Sequence, residues 1–308
     1  MIEKMRVAKP TVPLKAITAQ VGLSRDAYYK HQKRTDKKVV INQKVMDMVN
    51  EFRKKYARQG TEKMYLTLKP KLVEQQIKMG RCKLHELLKA NDALVRWRRS
   101  GTRTTNSNHR YDLFPNLLSD KANTPTSPNQ VIQSDITYVP CHGGDFAYLS
   151  LVTDAWSKKI LGWNLSKSLN ASGAISALKM AIRASDGKLE GAIHHSDRGV
   201  QYCCNKYRSI LKDNGLKVSL TEKYDPYENA LAERVNNTIK NEYLKAYYFQ
   251  FSVAARDVKN AIDDYNNHRM HRGLGFLSPC HAHEYGIKLE RPSYEKILMI
   301  RASISPSS

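Results

Sequence analysis

Three carboxylates in this 308-residue chain stand where phosphate chemistry could use them. Asp135 lies in QSDITY, inside a β-branched, strand-like run. Asp197 lies in IHHSDRGVQY, just past a short apolar strand, and Glu233 in ENALAERVNNTIKNEYL, a helical pattern. Sixty-one residues separate the first two acids, and thirty-five separate Asp197 from Glu233. An oxygen-only acidic set suits Mg²⁺ or Mn²⁺. Two such ions can hold the attacking and leaving oxygens of a phosphodiester in line, with water or a DNA 3′-hydroxyl as nucleophile. Any one acid is read more simply as a surface charge or a helix cap. The three in this order, on strand, strand end and helix, favour a shared site.

Neighbouring residues set limits on that reading. His194 and His195 offer a rival, a zinc site, but adjacent strand positions point to opposite faces, so both cannot easily bind one ion. One is expected to pack inside and the other to face the DNA or the site. Gly199 is expected to let the backbone turn sharply after the acid. Asp154, in LVTDAW, reads as a structural acid or a support for the site. On the last helix Leu231, Val235 and Ile239 form an apolar stripe, and Glu233, Asn229, Asn236 and Lys240 fall on the opposite side. Asp225-Pro226-Tyr227-Glu228 reads as the helix start, which gives Glu228 a structural job and leaves Glu233 as the catalytic candidate.

The elements that must position these acids follow from the pattern. From Val131, VIQSDITYV, AYLSLVTDA and KILGWNLS read as three meandering strands, with Cys141-His142-Gly143-Gly144-Asp145 as a hairpin turn. NASGAISALKMAIRAS is an amphipathic helix, GAIHHS a fourth strand, NKYRSILKDNG a helix and LKVSLT a fifth strand, followed by a long helix from about Pro226. That order is the order of an α/β ribonuclease-H-like fold. In ARDVKNAIDDYNNHRMHRGLG, Val258, Ile262 and Tyr265 form the packing stripe, and Asn266, His268, Arg269 and His271 either contact DNA or close over the core.

The front of the chain has another texture. The chain carries 51 Lys+Arg against 29 Asp+Glu, a net charge of +22. Residues 1–110 hold 27 basic and 9 acidic residues, net +18, and the remainder 24 and 20, net +4. So lopsided an excess points to a polyanionic partner for the N-terminal third, with a generally basic protein as the plain alternative. Residues 14–30 read as helix, turn at Gly22, and a short second helix capped by Ser24, which is helix-turn-helix-like. Arg25, Tyr28, Tyr29 and Lys30 would project from that second helix. Between about 40 and 95 a second helical unit is expected, with Val40, Val45, Met48, Val49 and Phe52 as one apolar face, Thr61 capping a helix interrupted before Pro70, and Leu84, Leu87 and Leu88 on a third helix. Residues 96–130 read as linker. Its first half carries Arg96, Arg98, Arg99 and Arg103 beside Trp97, residues that could follow a phosphate backbone. The domain expectation is therefore 1–35 helix-turn-helix, 36–96 second helical DNA-binding unit, 97–128 basic linker, 129–288 catalytic core and 289–308 tail. The fold class is multidomain, all-α units followed by the α/β core.

SDITYV, LVTDAWSKKILGW, IHHSDRGVQY, DPYENALAERVNNTIKNEYL and YNNHRMHRGLG each resemble, in the same order, segments of insertion-sequence transposases of the retroviral-integrase-like DDE superfamily, the type encoded by the second of two overlapping frames. The resemblance implies that Asp135, Asp197 and Glu233 are the metal-binding triad, with two Mg²⁺ or Mn²⁺ ions, and that Lys240 is a basic residue near the DNA. It implies double-stranded DNA partners (terminal inverted repeats and target), a homo-multimer on DNA, and a fusion with an upstream-frame product, so that Met1 would be an internal start. Two positions depart from the pattern: Ile132 stands where the family often has tryptophan, and Met270 where it usually has proline. The rival functions are a DNA-binding regulator with an inactive integrase-like domain and a metal nuclease acting on RNA–DNA hybrids.

The five cysteines are irregularly spaced with no C-x-x-C pair, which argues against a zinc ribbon and for reduced thiols; Cys203 and Cys204 read as helix-start residues. No apolar run of membrane-spanning length occurs and the first residues do not read as a signal peptide. A cytoplasmic, nucleoid-associated bacterial protein without membrane contact is expected.

Overall fold

A computed structural model of the chain describes residues 2–8, 10–95, 114–222, 229–287 and 299. The chain divides into two compact units, residues 1–95 and 96–308.

The first unit is helical: α1 (Ile2–Ala8), α2 (Leu14–Gln20), α3 (Arg25–Lys55), α4 (Thr61–Glu74) and α5 (Arg81–Ala90). Gly22, at φ +68°, makes the expected turn after α2. Ser24 caps α3 by accepting the Ala27 N–H at 3.1 Å. The second helix is not short, however. It runs 31 residues and passes through the expected boundary at residue 35. RTDKKVV contains no glycine, proline or cap that could stop a helix once Ser24 has started it. Val45, Met48, Val49 and Phe52 are buried with Met64, Leu68, Leu72, Leu84 and Leu88 in one core. Val40 is exposed instead of belonging to that face. Gly60 occupies the cap position of α4, Thr61 is its first residue, and the helix continues through Pro70 to Glu74. The helix loses the amide bond to Leu66 at Pro70, and burial of Leu68 and Leu72 on either side holds it together.

The second unit is built on a five-stranded sheet in the order β3-β2-β1-β4-β5. The strands are β1 (Val131–Pro140), β2 (Phe146–Asp154), β3 (Ile160–Ser166), β4 (Ile193–Ser196) and β5 (Lys217–Leu220). The first three are antiparallel neighbours, and β4 pairs parallel with β1 and with β5. Gly143 and Gly144, at φ +79° and +86°, close the β1–β2 turn.

Helices cover both faces of the sheet. On one face α6 (Ala171–Ser185) and α8 (Asn205–Asp213) bury Ile132, Val152, Leu161, Leu178, Tyr207 and Leu211 together. Gly162 permits α6 to lie this close, because a Cβ there would stand 2.1 Å from the Ala177 carbonyl oxygen. On the other face α9 (Ala230–Thr238), a π-helical turn (Ile239–Tyr243) and α10 (Phe251–Asn267) bury Leu149, Leu151, Val235, Ile239, Val258, Ile262 and Tyr265. Two short helices complete the unit, α7 (Val200–Cys203) and α11 (Pro279–Tyr285).

Several expectations change here. The later part of the expected linker is docked: Leu117 donates its N–H to Ser219 Oγ at 3.0 Å, and the Phe114 ring lies under the Arg208 guanidinium. Leu117 and Leu118 pack against the small core of Val131, Ala155 and Ile193, which gives residues 114–128 an apolar reason to stay on the sheet. Arg96, Arg98, Arg99 and Arg103 lie outside the described residues, as do Trp97, the expected helix start at 225–228 and the tail from residue 289 apart from residue 299. The first described residue of the last site helix is Ala230, four residues later than expected, with Asn229 at its cap. Cys203 ends α7, and Cys204 is the residue between α7 and α8.

Candidate active site

Parallel pairing of β1 with β4 sets the site. Ser134 stands in register with Ser196, so Asp135 and Asp197 are the next residues on two neighbouring strands, and Asp197 is the first residue past its strand. Asp135 is half-buried. One of its carboxylate oxygens accepts the Ile136 N–H at 2.9 Å, and the other accepts the Asn236 side-chain amide at 2.7 Å. Desolvation, then the charges of Asp197 and Glu233, push the Asp135 carboxyl up to about 7, against the two hydrogen bonds.

Asp197 accepts the Gly199 N–H at 3.0 Å. Gly199 itself has ordinary φ, −64°, so a sharp turn is not its reason. A Cβ there would stand 3.0 Å from Asp197 Oδ1 and from Gln201 Oε1. The glycine leaves the carboxylate room.

Glu233 sits in the first turn of α9 and is exposed; its N–H donates to the Asn229 carbonyl at 3.1 Å. Partial desolvation and the charge of Asp197 raise its carboxyl above the usual range. The predicted helix faces hold in part. Val235 and Ile239 are buried in the core as expected, and Glu233 is on the other side. Asn229 and Asn236 are also buried, because that side faces β1. Lys240 lies in the π-turn, half-buried. Burial lowers its ammonium below the ordinary value while the nearby charge of Asp135 opposes the shift.

The three acids thus press on one another electrostatically. Among the described residues, no three His, Cys, Asp or Glu side chains are arranged to hold an ion as they stand. The donor set nevertheless fits a hard cation. All its atoms are carboxylate oxygens, and the carboxyls of Asp135 and Glu233 are raised first by burial and then by neighbouring acid charge, both of which a bound cation would offset.

The histidines are both buried, on opposite faces, which corrects the expectation that one faces the DNA or the site. His194 Nε2 meets Ser134 Oγ at 2.8 Å and the Tyr207 hydroxyl at 2.9 Å. Burial, with His195 beside it, lowers it to about 3. His195 Nδ1 meets Ser219 Oγ at 2.8 Å. They tie strands and helices together beneath the acids. Asp154 is structural: it is fully buried and accepts the N–H groups of Asn129, Trp156 and Ser157 and the Ser157 hydroxyl.

In the helical unit Arg25 and Lys30 are exposed on α3, but Tyr28 is buried and accepts a hydrogen bond from Arg6 at 3.0 Å, so it packs inward instead of projecting. At the other end of the chain Asn266 brackets Ile160, accepting its N–H and donating to its carbonyl, both at 2.9 Å. Arg269 is buried against Glu242 through two bonds of 2.7 and 2.6 Å. Both residues close over the core.

Sequence reasoning missed two neighbours of the acids. Asn236 falls three residues after Glu233, on its face, yet carried no role until its amide was seen on Asp135. Tyr202 is buried beside the acids; desolvation, then the charges of Asp135 and Asp197, hold its hydroxyl well above the usual range. Its position in IHHSDRGVQY, five residues past Asp197, was the available signal.

Comparison with known proteins adds to this geometry. A family model described as an integrase core domain matches residues 125–226, and a second of the same description matches residues 214–279. An insertion element IS600 uncharacterized 31 kDa protein of Shigella sonnei is 35% identical over 268 residues, 84% of this chain and 94% of that protein. A putative transposase for insertion sequence element IS986/IS6110 of Mycobacterium tuberculosis is 30% identical over 245 residues, 77% of this chain and 86% of that protein. The solved HTLV-2 integrase catalytic core domain in complex with magnesium is similar at 18% identity and a TM-score of 0.39, over 51% of this chain and 97% of that one.

Proposed function

We propose the following mechanism from the premise that this chain belongs to the insertion-sequence transposases with an integrase core domain. The protein is a DNA transposase of the DDE type, a polynucleotidyl transferase, with an integrase-core-like fold. Asp135, Asp197 and Glu233 are its catalytic acids. The observation that carries this assignment is geometric: the β1–β4 register stands Asp135 beside Asp197, and Asn236, on the helix of Glu233, holds Asp135.

The three carboxylates would hold a pair of Mg²⁺ or Mn²⁺ ions, which when bound polarise the attacking hydroxyl and the scissile phosphodiester. The chain's own residues do the rest. Asn236 fixes the rotamer of Asp135 by holding one oxygen, and the Ile136 N–H holds the other. Gly199 clears space for Asp197 and supplies an N–H to it. Lys240 places a cation beside Asp135, where a DNA phosphate would otherwise meet only negative charge. The buried Ser134–His194–Tyr207 contacts hold β1, β4 and α8 in register below. No covalent enzyme intermediate is required.

The helical unit, with its helix-turn-helix-like start, binds the terminal inverted repeats, through Arg25 and Lys30 and through Arg96, Arg98, Arg99 and Arg103 of the basic stretch that follows it in sequence. Two ends are brought together by a multimer, and an upstream-frame fusion supplies the active product. Among the described residues no helix is long and apolar enough to cross a membrane.

The test is a Mg²⁺-dependent cleavage and joining assay on labelled DNA from the two flanks of this gene. Asp135→Asn, Asp197→Asn and Glu233→Gln are each expected to lose joining by at least about 10²–10³-fold while still binding the DNA. Full joining by all three variants would remove the site assignment. Binding without product from the wild type would favour the regulator reading or a need for the upstream partner.

A further inference from the structure

α3 contains a stretch with no buried position among the described residues. Residues 29–40 are exposed at every position, more than three turns of helix. Tyr28 is buried before the stretch, and Val45, Met48, Val49 and Phe52 are buried after it. Each end is anchored and the shaft between them is bare. A helix of this length gains little stability from propensity alone and normally depends on packing one face.

The shaft is sided in charge. Lys30, Lys33, Arg34, Lys37 and Lys38 follow the spacing i, i+3, i+4, i+7, i+8. At about 100° per residue these five fall within one arc of about 140°. The acid of the shaft, Asp36, lies on the other side, with Gln32, Thr35 and Val39. None of the five cations has a hydrogen-bond or ion-pair partner among the described residues. Tyr29, Val39 and Val40 are exposed too, but they do not repeat at a heptad spacing, so the shaft does not read as a seam for a second helix.

We infer that this face of α3 is a sequence-independent docking surface for the phosphate backbone of duplex DNA. Charge and spacing both point there. The stripe places five cations along a rise of about 12 Å, and duplex DNA carries about seven phosphate charges over the same length. Long side chains on an exposed helix can reach phosphates without reading base edges. Base reading would then fall to other residues, and the shaft would hold the helical unit on the duplex whatever the sequence. The inference rests on the DNA transposase reading and adds the surface and its mode of contact.

The experiment measures binding of the full chain to element-end DNA and to a scrambled duplex of equal length, across a salt series. The stripe variant is Lys33→Gln, Arg34→Gln, Lys37→Gln and Lys38→Gln together. The comparison variant, Gln32→Glu, Thr35→Glu and Val39→Glu, makes the far face acidic on the same helix. Removing four phosphate contacts should lower the slope of log affinity against log salt by about 3 to 4. Affinity for the two duplexes should fall by the same factor, leaving their ratio unchanged. The far-face variant should keep the wild-type slope within about one. Circular dichroism of both variants shows whether the helix is retained, and Lys33→Arg with Lys37→Arg and Lys38→Arg, which keeps charge and helix, should bind like the wild type. An unchanged slope in a folded stripe variant overturns the inference, as does an equal loss from the far-face variant. A stripe variant that loses end preference more than overall affinity overturns it too, since the stripe would then read bases. If the wild type binds no DNA at any salt, the transposase reading itself fails first.

Discussion

The catalytic acids of the sheet unit and the cations of the α3 shaft carry opposite charge and are held by opposite means. Asp135 has hydrogen bonds on both oxygens, a buried asparagine behind it and two further acids beside it. Lys33, Arg34, Lys37 and Lys38 are exposed, and the helical repeat is what aligns them. In the first region, placing a charge means burying polar groups, so chemistry and stability are coupled. In the second, the charges can be exchanged without touching a core. Substitutions in the two regions should therefore differ in kind.

The largest contrast in stability is expected at Arg269. Its guanidinium and the Glu242 carboxylate are both buried and joined by two short bonds, next to Tyr265. Arg269→Met leaves the Glu242 charge without its partner, which costs about 3–5 kcal/mol. Replacing both, with Glu242→Leu added, should recover much of that loss. Exposed shaft substitutions such as Lys33→Gln should stay within about 0.5 kcal/mol. Urea unfolding followed by tryptophan fluorescence reads the Arg269 variants, since Trp156 and Trp163 both belong to the sheet unit, and far-ultraviolet circular dichroism reads the shaft variant, since the first unit is helical. If Arg269→Met unfolds with the wild type, the pair is not what closes the sheet's helical face.

A pH series tests the same coupling at the acids. With chelator present, the raised Asp135 carboxyl makes the folded state prefer the protonated form. The associated stability is fully present below the ordinary carboxylate value near 4. It is lost as pH rises toward about 7, where the folded group has ionised. Asp135→Asn has no such loss. It should match or fall below the wild type near pH 4 and exceed it above pH 7, by on the order of 2–4 kcal/mol. Wild type and variant that keep a constant difference from pH 4 to 8 would show that Asp135 is not the desolvated acid described.

The two regions also differed in how far they could be read from sequence. The strands around Asp135 and Asp197 stand where their β-branched runs predict, because alternating burial and a turn at Gly143-Gly144 leave little choice. The acids could be picked out because each sits at a strand, strand end or helix with a legible pattern. Asn236 and Tyr202 could not, since their roles depend on which strand passes in front of them, and a single sequence does not give that. His194 and His195 show the same limit. Alternation separated their faces correctly, but only tertiary packing decides that both are inside, each with a hydroxyl partner. In the helical unit the stop of the second helix was misplaced. Nothing in RTDKKVV ends a helix; what changes there is the apolar periodicity, which lapses. The lapse marks exposure, which is what makes the shaft available.

A smaller effect than at Arg269 or Asp135 is expected at Ser24, and it bears on whether the shaft is marginal in itself. Its side-chain oxygen satisfies the Ala27 N–H, one of the free donors at the start of α3. Ser24→Ala removes that bond and should cost about 1 kcal/mol, whereas Ser24→Asp keeps an acceptor there. How the loss is distributed matters more than its size. Residues 29–40 are exposed at every position, while Val45, Met48, Val49 and Phe52 are locked into the helical core. Amide hydrogen exchange in Ser24→Ala should therefore quicken through residues 27–40 and stay near wild type from Val45 onward. Bound duplex DNA should restore protection in the shaft in proportion to occupancy, because docked phosphates then favour the helical form. If exchange quickens equally on both sides of Val45, α3 opens as one unit, and the shaft is held by the core and not by its partner.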